Sequence, residues 1–229
     1  INMEYFGELP WIAAMVGFPW SAYGVSQMYY YKKSLAENTK DGIKYDSIMK
    51  SLKTFDSSTL SHAHIEENVA KNYAIVGNAL GFDPKKLVFA NQIHSDIVRV
   101  VTDQDCVGSL SHRDYPECDA LVTNTPGVTL LVFTADCTPW LFHDPVTGAV
   151  GAAHAGWRGT ASAIGPKTVA AMVENFGSRP ENIRAAIGPN IGFCHFETHA
   201  DVPDAVRAVL GEEAEAFIVP AGEKFRVDL

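Results

Sequence analysis

The sequence predicts one mixed α/β domain of the α+β class, with at least two layers of sheet and helix. Three observations support this. Short apolar runs separated by turn signals, typical of strands, fill the middle of the chain. Helical periodicity is found on both sides of these runs. The 229 residues contain no internal repeat and no convincing linker, and a chain of this length can bury a substantial core.

The part before the first regular element reads as irregular. The first forty residues are rich in aromatic side chains, and the segment 40–61 is polar, which predicts an exposed insertion or a long loop. An amphipathic helix is predicted next, over 66–80. Its apolar residues Val69, Tyr73, Val76 and Leu80 lie four, three and four positions apart, and Gly81 suits its end.

The strand-rich middle follows. Strands are predicted over 87–90, 97–101, 120–123, 128–135, 140–142, 149–154 and 183–187. The run 128–135 is continuously apolar, as expected for a strand buried on both faces. A turn signal at 144–148 joins 140–142 to 149–154 and predicts a hairpin.

Two more helices and a last strand complete the prediction. One helix covers 160–176 and ends at Gly177; it either starts at Pro166 or starts near Thr160 and kinks. A short helix is predicted over 202–210. The last strand is either 217–219 or 225–227.

Composition excludes several classes of function. A net charge of −9 argues against binding to a phosphate backbone, and no run of 18 apolar residues is present that could span a membrane. The start of the chain does not resemble a secretory signal. Four irregularly spaced cysteines suggest reduced thiols in a cytoplasmic protein, three of them packing residues. A monomer acting on a small molecule is the default expectation.

Three side chains form the candidate site. His154 and Cys137 lie at the ends of neighbouring predicted strands, and His94 lies between the strands 87–90 and 97–101. Two imidazoles and one thiolate would bind Zn²⁺ and leave its fourth position open to water. Taken alone, however, Cys137 is more often a buried packing thiol, and His154 a hydrogen-bonded core histidine.

At these residues the sequence resembles the YfiH-type family. The matching segments are Asn91-Gln92-Ile93-His94-Ser95-Asp96, Cys118-Asp119-Ala120-Leu121-Val122-Thr123, Thr134-Ala135-Asp136-Cys137, Ala153-His154-Ala155-Gly156-Trp157-Arg158-Gly159, Ala186-Ile187-Gly188-Pro189-Asn190-Ile191-Gly192 and Phe196-Glu197. The resemblance covers 87–229 in order. Family members are known as laccase-like polyphenol oxidases and as zinc-dependent purine nucleoside phosphorylases with adenosine deaminase activity.

The resemblance implies a layered α-β-β-α sandwich, with His94, Cys137 and His154 as ligands of zinc or, alternatively, copper. It implies a single domain over 1–229, with a divergent part at 1–61. Two departures are visible: only Gly24-Val25-Ser26 matches the family's N-terminal turn, without its arginine, and the family's C-terminal tail is expected to be missing after Leu229.

Two further residues are candidates for catalysis. Arg158, with the amides of a helix near Thr160, could bind phosphate, although Trp157-Arg158 could equally be a structural stack. Asp136 could accept a proton or support a ligand, but strand alternation would point it away from Cys137. Asp119 and Glu197 are interpreted as turn caps, and His143 as a turn residue.

Four functions remain open. The first is a zinc enzyme that cleaves or deaminates purine nucleosides. The second is a copper polyphenol oxidase, disfavoured because the chain has a single His-x-His pair, His62-Ala63-His64. The third is a metal-free hydrolase in which His154 activates Cys137. The fourth is a binding protein with a degenerate site.

Overall fold

The fold is known from a computed structural model that describes residues 15–16, 62–106 and 116–229. Most of the predicted irregular part at 1–61 therefore lies outside the described residues. The strands are β1 (Met15–Val16), β2 (Leu87–Phe89), β3 (Val98–Val100), β4 (Ala120–Thr123), β5 (Thr129–Leu131), β6 (Phe133–Thr134), β7 (Thr138–His143), β8 (Val150–Ala155), β9 (Arg184–Ile187), β10 (Glu197–Thr198), β11 (Ile218–Ala221) and β12 (Lys224–Val227). The helices are α1 (His62–Leu80), α2 (Trp157–Ala161), α3 (Ile164–Phe176) and α4 (Asp201–Leu210).

A mixed five-stranded sheet forms the centre, in the order β3-β4-β8-β7-β9. The first pair, β3 and β4, is parallel, and the other neighbours are antiparallel. The predicted hairpin is confirmed, because β7 and β8 pair directly across the turn at Asp144–Gly148. A smaller parallel pair, β2 with β5, lies outside this sheet.

Three apolar clusters define the layers. Val76 of α1 packs with Phe89 and Leu131 of the small pair. The opposite side of that pair, including Val88 and Leu130, packs on the large sheet. The far side of the large sheet packs on α3 through Ile164 and Met172. The order α1, small pair, large sheet, α3 is the α-β-β-α arrangement, so the predicted fold class is confirmed.

The apolar run 128–135 is not one strand. It divides into β5 and β6 at Val132. The side chain of Gln92 binds the backbone of the next residue, Phe133: the Gln92 side-chain amide donates to the Phe133 carbonyl, and the Gln92 side-chain oxygen accepts from the Phe133 amide, both at 2.7 Å. A hydrophobicity pattern does not reveal this division because Val132 remains fully buried.

The predicted helix over 160–176 is also divided. One helix ends at Ala161, and the next begins at Ile164, because Ala163 adopts a left-handed backbone with φ of 61°. Pro166 lies in the first turn of α3, where its missing amide costs no helical hydrogen bond. The predicted end at Gly177 is confirmed by its left-handed φ of 67°.

The C-terminal part forms a second small sheet. Its order is β10-β12-β11, and α4 packs on it through Val202 and Val206. Both alternatives for the last strand are present, as the hairpin β11–β12. Within the described part of the chain, no helix has the length and apolarity needed to cross a bilayer.

Candidate metal and active site

The three predicted ligands converge. One ligand atom each of His94, Cys137 and His154 can be chosen such that all lie within 4.8 Å of one another. The Sγ of Cys137 is 3.8 Å from the Nε2 of His94, and the two imidazole rings meet edge to face at 4.8 Å. His154 is buried, Cys137 partly exposed and His94 exposed, so the cluster reaches from the core to the surface.

Strand pairing brings two of these residues together. In the β7–β8 pair, Pro139 lies opposite His154 and Thr138 opposite Ala155. Cys137 directly precedes β7 and therefore lies at the same end of the pair as His154. The sequence placed both at strand ends, although β8 continues one residue beyond His154.

His94 reaches the cluster from a loop with an unusual backbone. Its φ is 61°, in the left-handed region that non-glycine residues adopt rarely. The carboxylate of Asp119 accepts the backbone amides of Ile93, His94 and Ser95 at 3.2, 3.1 and 2.7 Å. It also accepts the Ser95 hydroxyl at 2.7 Å. These bonds hold the loop that carries His94.

Asp119 also contacts the second imidazole. The Nδ1 of His154 donates to Asp119 Oδ1 at 2.7 Å, and both side chains are almost completely buried. Burial acts to raise the pKa of Asp119, but hydrogen bonds from His154 and Ser95 outweigh it and hold the pKa below its usual range. Burial lowers the pKa of His154, but hydrogen bonds with Asp119 and Cys137 outweigh this and raise it. The expectation that Asp119 only caps a turn is too narrow.

Two glycines allow the segments to approach closely. A Cβ on Gly156 would lie 2.8 Å from His94 Cδ2 and 3.2 Å from Cys137 Sγ. A Cβ on Gly159 would lie 3.0 Å from the Ser95 carbonyl oxygen. The Ala155–Gly159 segment therefore packs under the His94 loop only because these two positions lack side chains.

The two candidate catalytic residues are exposed. The Arg158 guanidinium stacks on the Trp157 ring, 4.1 Å from its centroid. The carbonyl of Asp136 accepts the Ile191 amide at 2.9 Å, which holds the 188–192 loop beside Cys137. The helix predicted to start near Thr160 begins at Trp157 instead, and the Thr160 amide donates to the Gly156 carbonyl, so this amide is not available to an anion.

The remaining polar candidates differ from the expectations in part. All four cysteines are free, and Cys194 is exposed, with its Sγ 2.9 Å from His195 Nδ1, so it is not a packing residue. His143 ends β7 rather than lying in the turn. Glu197 forms an ion pair with Arg226 at 3.2 Å.

The family model for multi-copper polyphenol oxidoreductase laccase matches residues 49–229. The chain belongs to this family. The matched range includes all three converging residues. It begins earlier than the motif-bearing segment 87–229 and therefore also includes the helix α1. YfiH and YlmD proteins are among the relatives and structural neighbours of the chain.

Several relatives carry a name that refers to activity. The chain is 47% identical over 148 residues to the purine nucleoside phosphorylase of Deinococcus radiodurans, covering 63% of the chain and 53% of the relative. It is 36% identical over 183 residues to the purine nucleoside phosphorylase YlmD of Bacillus subtilis, covering 78% and 66%. The chain thus spans about half to two thirds of the length of these relatives.

Solved structures share the fold. The Bacillus licheniformis hypothetical protein YfiH superposes with a TM-score of 0.65 at 36% identity, over 71% of this chain and 62% of the neighbour. YlmD from Geobacillus stearothermophilus gives a TM-score of 0.63 at 32% identity, over 71% and 62%.

Proposed function

We propose that the protein is a metal-dependent enzyme that cleaves purine nucleosides with phosphate, deaminates adenosine, or does both. The observation that supports this most is the convergence of His94, Cys137 and His154 at the surface. The names of the relatives point to the same substrate class. We further propose that it acts on small molecules, as a monomer, without nucleic acid or membrane partners.

The donor set fits zinc or copper. Imidazole nitrogen and thiolate sulfur suit these metals, whereas Mg²⁺ and Ca²⁺ prefer oxygen. Tetrahedral zinc, with bonds of about 2.0–2.3 Å, would place a nitrogen and a sulfur ligand ~3.6 Å apart. The 3.8 Å between His94 Nε2 and Cys137 Sγ is close to this value. We propose zinc, held by these three residues, with the exposed side available to substrate.

Bound zinc would supply Lewis acidity and an activated water at neutral pH. Arg158 is proposed to bind the phosphate anion, because its stacked guanidinium is exposed and held in place. Asp136 is proposed to hold or transfer the proton of the purine base, since it is exposed and adjacent to Cys137. Asp119 accepts the backbone amide of His94 and the Nδ1 proton of His154.

Two alternatives use the same cluster differently. A copper polyphenol oxidase would agree with the name of the family model. Multicopper oxidases need several clustered histidine sites, however, and the residues that the structure describes contain one such group. A metal-free hydrolase would use Cys137 as nucleophile, with an imidazole as base.

Metal analysis together with nucleoside assays separates these functions. We expect about one zinc per chain, and base release from inosine or adenosine only with phosphate, or ammonia release from adenosine. Both activities should fall with a chelator and return with zinc. Redox-active copper with phenol oxidation and no base release would contradict the proposal, as would activity that survives chelation but not thiol alkylation. Cys194→Ala is the control for alkylation.

A further inference from the structure

We propose that Asp119 is a positioning residue that fixes both imidazole ligands of the metal site at once. The inference rests on the proposed metal site and assigns a role to a residue that does not belong to the ligand set. Asp119 is completely buried, with 0% of its surface exposed, and directly precedes strand β4 of the large sheet. A charged group is buried this deeply only where several partners compensate its lost hydration.

The first contact selects the binding atom of His154. Because Nδ1 donates to Asp119 Oδ1 at 2.7 Å, the proton of the neutral ring is held at Nδ1. The lone pair of Nε2 is then free for a ligand. The antiparallel pairing of β4 with β8 adds a backbone hydrogen bond, since the His154 amide donates to the Asp119 carbonyl at 2.7 Å. Asp119 thus sets the tautomer of His154 and, together with the pairing of β7 and β8, its position.

The second set of contacts fixes His94 through its backbone. Oδ1 also accepts the His94 amide, while Oδ2 accepts the Ile93 amide, the Ser95 amide and the Ser95 hydroxyl. These bonds compensate for the left-handed conformation of His94, which costs about 1 kcal/mol or more for a residue with a side chain. Without these hydrogen bonds, we expect the loop to leave this conformation and His94 to move away from Cys137.

All five partners of the carboxylate are donors, so the two oxygens must both accept. An asparagine has the same shape but replaces one oxygen with an NH₂ group, which would face another donor. Asp119→Asn therefore tests the carboxylate itself rather than the space that it fills. Ser95→Ala removes one donor to the carboxylate and the acceptor of the Ile97 amide, and is a milder variant.

The experiment measures zinc affinity of the purified full chain by competition with a chromophoric chelator. We expect Asp119→Asn to weaken zinc binding about 10- to 100-fold, and Ser95→Ala to weaken it less. Asp144→Asn is the matched control, because Asp144 is also 0% exposed and also accepts several donors, at the turn end of the β7–β8 hairpin. It should bind zinc as the unmodified protein does.

Two results would overturn the inference. One is an Asp119→Asn protein that is folded by circular dichroism and binds zinc with unchanged affinity. The other is an equal loss in Asp144→Asn, because the effect would then reflect general destabilisation of the fold.

A second measurement needs no variant of Asp119. In the zinc-loaded protein labelled with ¹⁵N-histidine, we expect His154 to bind through Nε2 and to keep a proton on Nδ1 that exchanges slowly with water. The signal is assigned by its loss in His154→Gln. Coordination through Nδ1 would refute the role of Asp119 even if Asp119→Asn failed to fold.

Failure of the inference can be distinguished from failure of the proposed function. A protein that binds zinc but releases neither base nor ammonia contradicts the proposed activity and leaves Asp119 as a positioning residue. A protein that phosphorolyses nucleosides with zinc and is indifferent to Asp119→Asn contradicts only the inference. A protein that binds no zinc contradicts both.

Discussion

A glycine, Gly156, determines how closely the three converging side chains can approach one another. Gly156 lies directly beneath them, and the built Cβ positions show that His94 and Cys137 occupy the space where a side chain would stand. Real Cβ atoms essentially never come within 3.0 Å of such neighbours. The glycine in the Ala155-Gly156-Trp157 motif is therefore a steric requirement of the site.

Gly156→Ala is expected to weaken zinc binding on the order of tenfold, because the methyl group lies 2.8 Å from His94 Cδ2 and must displace that ring. Chelator competition measures the affinity, and thermal unfolding reports the stability. Gly165→Ala is the matched control, since the nearest atoms to its methyl group would be those of the Trp140 ring, at ordinary distances of 3.7–3.8 Å. Equal zinc affinity in both variants would show that His94 can move without cost.

Among the elements, the junction between α2 and α3 carries backbone strain. Ala163 has φ of 61°, its amide donates to the Thr160 carbonyl, and its carbonyl accepts the Lys167 amide. The residue thus ends one helix and begins the next in a conformation that favours glycine. The turn allows α2 to follow β8 closely while α3 packs along the sheet.

Ala163→Gly is expected to raise the free energy of unfolding by about 0.5–1 kcal/mol, because relief of the left-handed strain exceeds the added entropy of the unfolded chain. Urea unfolding measures the change. Ala170→Gly, at an exposed position inside α3, should instead lose about 1 kcal/mol. A loss in both variants would mean that the Ala163 methyl group makes a contact that offsets its strain.

How much the sequence reveals differs between these elements. The pairing of β7 with β8 could be predicted, because two apolar runs flank a turn signal, and this pairing brings Cys137 to His154. The role of Asp119 could not be predicted from the sequence, because a carboxylate before an apolar run is also the pattern of a turn cap. The available signal was its position, directly before a strand that is buried along its whole length. The divisions at Val132 and Ala163 depend on tertiary contacts and backbone angles, which periodicity does not report.

For the whole molecule, the candidate site connects segments that are distant in the chain. His94 lies in the loop between β2 and β3, Cys137 between β6 and β7, and His154 within β8. The loop bearing His94 connects the small pair to the large sheet, Cys137 directly precedes β7, and only His154 lies within a strand of the large sheet. A metal held by all three would therefore join three separate segments of the chain, and binding would stabilise the folded state.

We expect zinc at about one hundred times its dissociation constant to stabilise the fold by about 2.7 kcal/mol. For a domain of this size, this corresponds to a rise in Tm of about 5–10 °C. Cys137→Ala should lose most of this rise, because it removes the sulfur that contacts both imidazoles. Cys194→Ala should keep it, since that thiol is exposed and does not belong to the cluster. Differential scanning calorimetry with and without zinc makes the comparison, and an equal rise in both variants would place the stabilising metal at another site.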